Sequence, residues 1–124
     1  MRFDCLRKDH KFSRSERADR LANARAKHGF ASDVSRQFGY AVALHGTGVR
    51  DIDLVAVPWT DDAISPDALA LRLAGQMQLV VVGLPTQKPH GRIAVSMFDP
   101  DRPTQQIDLS IMPPWRNLKQ VLSK

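Results

Sequence analysis

Residues 50–59, RDIDLVAVPW, set two carboxylates, Asp51 and Asp53, inside an otherwise apolar run of strand length. Side chains at i and i+2 of a strand point to the same face. Asp51 and Asp53 therefore project together, while Ile52, Leu54 and Ala56 take the opposite face and can be buried. Two close carboxylates repel each other unless a proton or a cation sits between them. Oxygen ligands of this kind suit Mg²⁺ or Mn²⁺. Upstream, residues 39–45, GYAVALH, read as a second strand, and Gly46-Thr47-Gly48 as a tight turn. Two strands joined so closely form an antiparallel hairpin, and Pro58 ends its second arm.

The elements around the hairpin are legible from caps and periodicity. Ser13-Arg14-Ser15-Glu16 matches a capping box and predicts a helix to about Lys27, stopped by Gly29. Leu21 is its only large apolar residue among several alanines, so the helix is expected on the surface or against a partner. Asp33 is placed to cap a second short helix through Phe38. Ser65-Pro66-Asp67 combines a serine cap, proline at the first helical position and an early acid, and Leu69, Leu73 and Met77 then recur every fourth residue. Residues 79–84, LVVVGL, form an apolar run of strand length, 85–91 a loop, and 92–98 and 105–112 two strands across the DPDRPT turn. A short helix is expected over 115–122 after Pro113-Pro114. This order gives an α+β fold: a mixed, largely antiparallel sheet with helices packed on one face.

The chain has 124 residues, enough for one compact domain, and its single cysteine, Cys5, excludes a disulfide framework and the usual zinc patterns. No apolar run approaches the roughly 20 residues that span a bilayer, and MRFDCLRKDHKF lacks a signal core, so the cytoplasm is the expected compartment. The net charge is +5, and residues 1–28 carry nine Lys/Arg against four Asp/Glu while 29–124 balance at nine each. The excess is thus confined to a basic N-terminal helical arm, 1–28, preceding an α/β core, 29–124. Such an arm is either solvated or attracts the phosphates of a nucleic acid, and no aromatic residues interleave with its charges for base stacking. Its scant apolar surface suggests that the core folds without it. A sheet protein this small can also form a homodimer, although no residue marks the interface.

A third carboxylate, Asp108, interrupts QQIDLSIM, where Ile107, Leu109 and Ile111 form one face and Asp108, Ser110 and Met112 the other. A charge in the middle of such a strand is costly unless it is partnered. If this strand lies beside the DIDL strand, Asp108 completes a three-carboxylate cluster able to hold two divalent ions, as in phosphoryl and nucleotidyl transfer. Otherwise Asp51 pairs with Arg50 and Asp108 with an arginine across its hairpin. His45, His10, Trp59 and Trp115 read as structural or rim residues, and Cys5 has no base partner.

LHGTG, RDIDLVAVPW and the later IDLS together resemble the polymerase-β-type nucleotidyltransferases over residues 39–112. The whole string also resembles small phage or prophage proteins. The resemblance implies a nucleotidyltransferase-like fold and transfer of a nucleoside monophosphate from a nucleoside triphosphate to a hydroxyl. It implies that Asp51, Asp53 and Asp108 bind Mg²⁺ or Mn²⁺, and that Gly46 and Thr47 contact the nucleotide phosphates. The chain departs from the family in joining Gly46-Thr47 to the first aspartate through only Gly48, Val49 and Arg50, with no intervening helical turn to hold phosphates. Arg50, or Lys88, His90 and Arg92 of the QKPHGR loop, would then supply the phosphate contacts. Two other readings compete: a metal-dependent nuclease of the phage type, and a non-catalytic module that binds nucleic acid or protein.

Overall fold

The structure, a computed structural model, describes residues 11–115. The order is α1 (Arg14–Arg36), β1 (Tyr40–His45), β2 (Ile52–Pro58), α2 (Pro66–Gln76), β3 (Val80–Gln87), a 3₁₀ turn (Pro89–Gly91), β4 (Ile93–Asp99) and β5 (Arg102–Ile111). The five strands form one sheet in the order β1-β2-β5-β4-β3. Only β2 and β5 run parallel; the other three pairings are antiparallel. Both helices pack on one face, so the fold is the α+β arrangement that the sequence predicts.

The α1 capping box forms as expected: Ser13 Oγ accepts from the Glu16 amide at 3.1 Å, and Glu16 Oε1 accepts from the Ser13 amide at 3.2 Å. Gly29 does not stop the helix, and no second helix begins at Asp33; one helix of 23 residues runs to Arg36. Gly29 lies on the exposed side, where a Cβ would meet nothing within 4 Å. A glycine there costs about 1 kcal/mol of helix propensity. Burial of Ala31 and Val34 beyond it offsets that cost. The surface position expected for this helix is also corrected. Ala24, Ala31 and Val34 belong to the core, and their small size lets α1 approach β1 closely. The division at residue 28 thus falls inside a continuous helix whose first half already touches the sheet.

The core lies between the helices and the inner sheet face. Ile52, Leu54 and Ala56 of β2 and Ile107, Leu109 and Ile111 of β5 supply its centre, with Leu69 and Leu73 of α2 above them. Ser65 caps α2, accepting from the Ala68 amide at 3.3 Å. The run expected to end at residue 84 continues to Gln87, and β3 takes up part of the expected 85–91 loop. It is an edge strand with all eight residues exposed, so Pro85 breaks no ladder bond that a central strand would need. The helix expected over 115–122 lies outside the described residues from 116 onward. Among the described residues, no helix is long and apolar enough to cross a membrane.

Candidate active site

Period-two alternation sends Asp53 to the open face of the sheet while Ile52 and Leu54 go inward. The parallel pairing of β2 with β5 sets Asp53 directly beside Asp108. Adjacent strands are about 4.8 Å apart, so the two carboxylates rise from neighbouring positions on one face. Asp51 lies two residues upstream of Asp53, just before β2 begins. Ser96 is the β4 neighbour of Asp108, and its Oγ donates to Asp108 Oδ1 at 2.9 Å. Gln106 Nε2 donates to the same oxygen at 2.8 Å. Both partners are neutral.

No arginine or lysine pairs with Asp51, Asp53 or Asp108 among the described residues; the two ion pairs there are Lys27–Asp99 and Arg102–Asp19. Among the described residues, neither the Asp51–Arg50 pair nor an Asp108–arginine pair is formed. Burial, then the charges of Asp108 and of Asp51, hold the Asp53 carboxyl above its ordinary value, and His45 opposes them. His45 is the β1 neighbour of Asp53 and lines the same cavity, a role that sequence spacing did not reveal. The tight turn expected at Gly46–Gly48 would have set His45 opposite Val49; the connection instead runs over residues 46–51, and the observed register pairs His45 with Asp53.

The cavity has a volume of about 340 Å³, within the roughly 300–1,000 Å³ of small-molecule sites. Asp53, Asp108 and Ser110 form part of its floor, and Val82 and Leu84 of the edge strand form a wall. Arg92 reaches this floor: its Nη1 donates to Ser110 Oγ at 2.8 Å. Lys88 and His90 are exposed around the 3₁₀ turn and do not line the cavity. Gly46 and Thr47 are exposed too, and they line a different groove, on the helix side of the hairpin. The Thr47 hydroxyl accepts from the Val49 amide at 3.3 Å, bracing its own turn. Arg50 is exposed, and its carbonyl is held by Arg20.

Arg20 and Gln105 were missed in the sequence. The Arg20 guanidinium is buried and donates to the carbonyls of Val49, Arg50 (2.8 Å) and Thr104 (3.0 Å), and to the Thr104 hydroxyl at 3.3 Å. The Phe12 ring lies 4.2 Å from it. Gln105 Nε2 donates to the carbonyls of Arg20 (2.8 Å) and Gly48 (2.7 Å), and Gln105 Oε1 accepts from Asn23 at 2.9 Å. Together they tie α1 to the turn that enters Asp51 and to the start of β5, which carries Asp108.

Asp53 and Asp108 are hard oxygen donors of the type a divalent cation takes, and burial first, then the charges of Asp108 and Asp51, raises the Asp53 carboxyl. No group of three or more His, Cys, Asp or Glu among the described residues is arranged to hold a metal ion.

No family model matches this sequence, and no curated protein matches it. Solved structures do match in fold. A structure of the Cid1 poly(U) polymerase with MgGTP bound has a TM-score of 0.52 at 14% identity, over 86% of this chain and 36% of that one. Another, with Mg 3′-dATP bound, has a TM-score of 0.53 at 14% identity, over 86% and 35%. A cytoplasmic RNA terminal U-transferase has a TM-score of 0.50 at 14% identity, over 86% and 34%. The chain thus spans about a third of the length of these structures. What they share with it is architecture: this chain has the fold of a part of these polymerase and U-transferase structures.

Proposed function

We propose that the protein is a Mg²⁺- or Mn²⁺-dependent nucleotidyltransferase that moves a nucleoside monophosphate from a nucleoside triphosphate onto a hydroxyl. The observation that carries this reading is the in-register pair Asp53 and Asp108 on the open face, with no arginine or lysine paired to them among the described residues and with the Asp53 carboxyl held above its ordinary value. Asp51, Asp53 and Asp108 are the residues that would hold the metal. Bound there, it supplies positive charge against the triphosphate and lowers the pKa of an acceptor hydroxyl. In the transfer itself the acceptor oxygen bonds to the α-phosphorus, the bond to pyrophosphate breaks, and the hydroxyl proton is released. Ser96 and Gln106 orient Asp108 by holding one of its oxygens. Arg92, which reaches the cavity through Ser110, is a cationic contact for a phosphate. The resemblance implies Gly46 and Thr47 as nucleotide contacts, with Arg50, Lys88 and His90 as the further candidates of the sequence, and none of the five lines the aspartate cavity. The magnesium-nucleotide complexes of the structural neighbours favour the same chemistry.

Thermal unfolding with Mn²⁺, with each nucleoside triphosphate, and with both tests the reading. A ligand at about 100 times its dissociation constant adds roughly 2.7 kcal/mol, a shift of several degrees in a domain of this size. Stabilisation that requires metal and triphosphate together, and that Asp53→Asn abolishes, is the expected result. Stabilisation by metal alone would favour a nuclease, and no shift in any condition would leave a binding module.

A further inference from the structure

On the helix side of the hairpin lies a second and larger groove, of about 640 Å³. Its α1 wall is Arg14, Arg17, Ala18, Leu21 and Arg25. At about 100° per residue these positions fall within one arc of the helix about 100° wide, and Arg14 to Arg25 spans about 16 Å along its axis. Its other wall is Leu44 of β1 and the turn from Gly46.

The cations of α1 are not all free to bind a ligand. Arg20 is spent on backbone carbonyls, and Lys27 pairs with Asp99 at 2.8 Å. Arg14, Arg17 and Arg25 are exposed, and among the described residues no hydrogen bond or ion pair engages their guanidinium groups. Glu16 and Asp19, the acids of this stretch of the helix, lie on another side, where they line a cleft with Arg102. Three unpaired guanidiniums in one open groove create a strongly positive channel. The guanidinium fork fits a phosphate in two-point contact. The apolar residues Leu21 and Leu44 between them offer surface for sugars or bases without reading sequence. Gly46 and Thr47 belong to the other wall, and His45, one residue earlier, lines the aspartate cavity, so the turn separates the groove from the carboxylates.

We infer that this groove holds the phosphate backbone of a single-stranded polynucleotide, an inference that stands whether or not the nucleotidyltransferase reading does. Three phosphate contacts on a single strand give a salt slope of about 2 on logarithmic axes, and their removal weakens binding on the order of 100-fold at 0.1 M salt.

The test is fluorescence anisotropy of a labelled oligouridylate 12-mer with the full chain, in chelator and across a salt series. R14Q/R17Q/R25Q is expected to lose affinity on that scale and flatten the slope by about 2, while R72Q, on α2 and outside the groove, binds as the parent does. The triple variant is expected to keep its thermal stabilisation by Mn²⁺ with triphosphate, which distinguishes strand phosphates from those of a free nucleotide. Equal losses in R72Q, an unchanged slope, or a loss confined to the triphosphate response would each overturn the groove. If the triple variant proves unstable, R17E alone is expected to show the same direction of change, and normal binding by R17E would overturn the proposal. Oligonucleotide binding that obeys these expectations in a protein that ignores Mn²⁺ and triphosphates would keep the groove and reject the transferase.

Discussion

Replacing Arg20 by methionine keeps most of the side-chain length and removes only the guanidinium. In the parent, that group is 9% exposed and serves the carbonyls of Val49, Arg50 and Thr104 at once. Hydrogen bonds to a charged donor contribute about 1.5–3 kcal/mol each, and a carbonyl left buried without a partner costs about 1–3 kcal/mol. The three carbonyls share one donor group and water can reach part of the site, so the sum is far from additive, and a loss of about 3–5 kcal/mol is expected. That is a large share of the about 5–15 kcal/mol by which a domain is stable. Urea unfolding followed by circular dichroism reads it directly, with Arg17→Met, on the exposed side of the same helix, as a control expected within about 0.5 kcal/mol. Arg20→Lys recovers little, because an ammonium cannot span three divergent oxygens. A loss below about 1 kcal/mol in Arg20→Met would refute the view that this guanidinium clamps α1 to the hairpin. The same reasoning reverses the expectation that the chain folds without residues 1–28. Their deletion removes Arg20, Asn23 and the buried Ala24 together, and cooperative unfolding should be lost.

Burial and like charge raise the Asp53 carboxyl above 3.8, so the folded protein keeps a proton that the unfolded chain has already released. Metal-free stability should therefore fall as pH rises from 3.8 through the raised folded value, and Asp53→Asn should remove that fall, raise metal-free stability at neutral pH and abolish stabilisation by Mn²⁺. Urea midpoints from acid to neutral pH check this; a destabilised metal-free variant would mark Asp53 as a structural ion-pair member instead. Gly48→Ala puts a Cβ 2.5 Å from that of Ala24 at a residue with φ of +76°, and about 2–5 kcal/mol should be lost. Adding Ala24→Gly should restore the steric part of that loss but not the backbone part. Ser96→Ala leaves Gln106 on Asp108 Oδ1, so Mn²⁺ affinity should weaken by about tenfold with the fold intact, as measured by metal titration of the thermal midpoint.

The features legible in the sequence are those whose cause is local. The Ser13 and Ser65 caps, the antiparallel pairing of β1 with β2 (though through residues 46–51 rather than a tight turn at 46–48), and the shared face of alternating residues in DIDL and IDLS each follow from a few consecutive residues. Asp108 beside Asp53 needed one further step, the adjacency of β5 and β2, and the apolar faces of both strands already required a common core for Ile52, Leu54, Ile107 and Leu109. Gly29 misled because a glycine stops a helix only where the chain needs a left-handed residue, and here it sits on the exposed side of a helix held by Ala31 and Val34. Arg20 and Gln105 were illegible for a different reason. Charged and amide side chains are normally exposed, and what buries these two are carbonyls 29 and 84 residues away from Arg20 and 57 and 85 residues away from Gln105. That difference separates the chemistry from its support. The carboxylates on the open face are announced by strand periodicity, whereas the clamp that holds their strands in place is assembled only when the first helix meets the last strand.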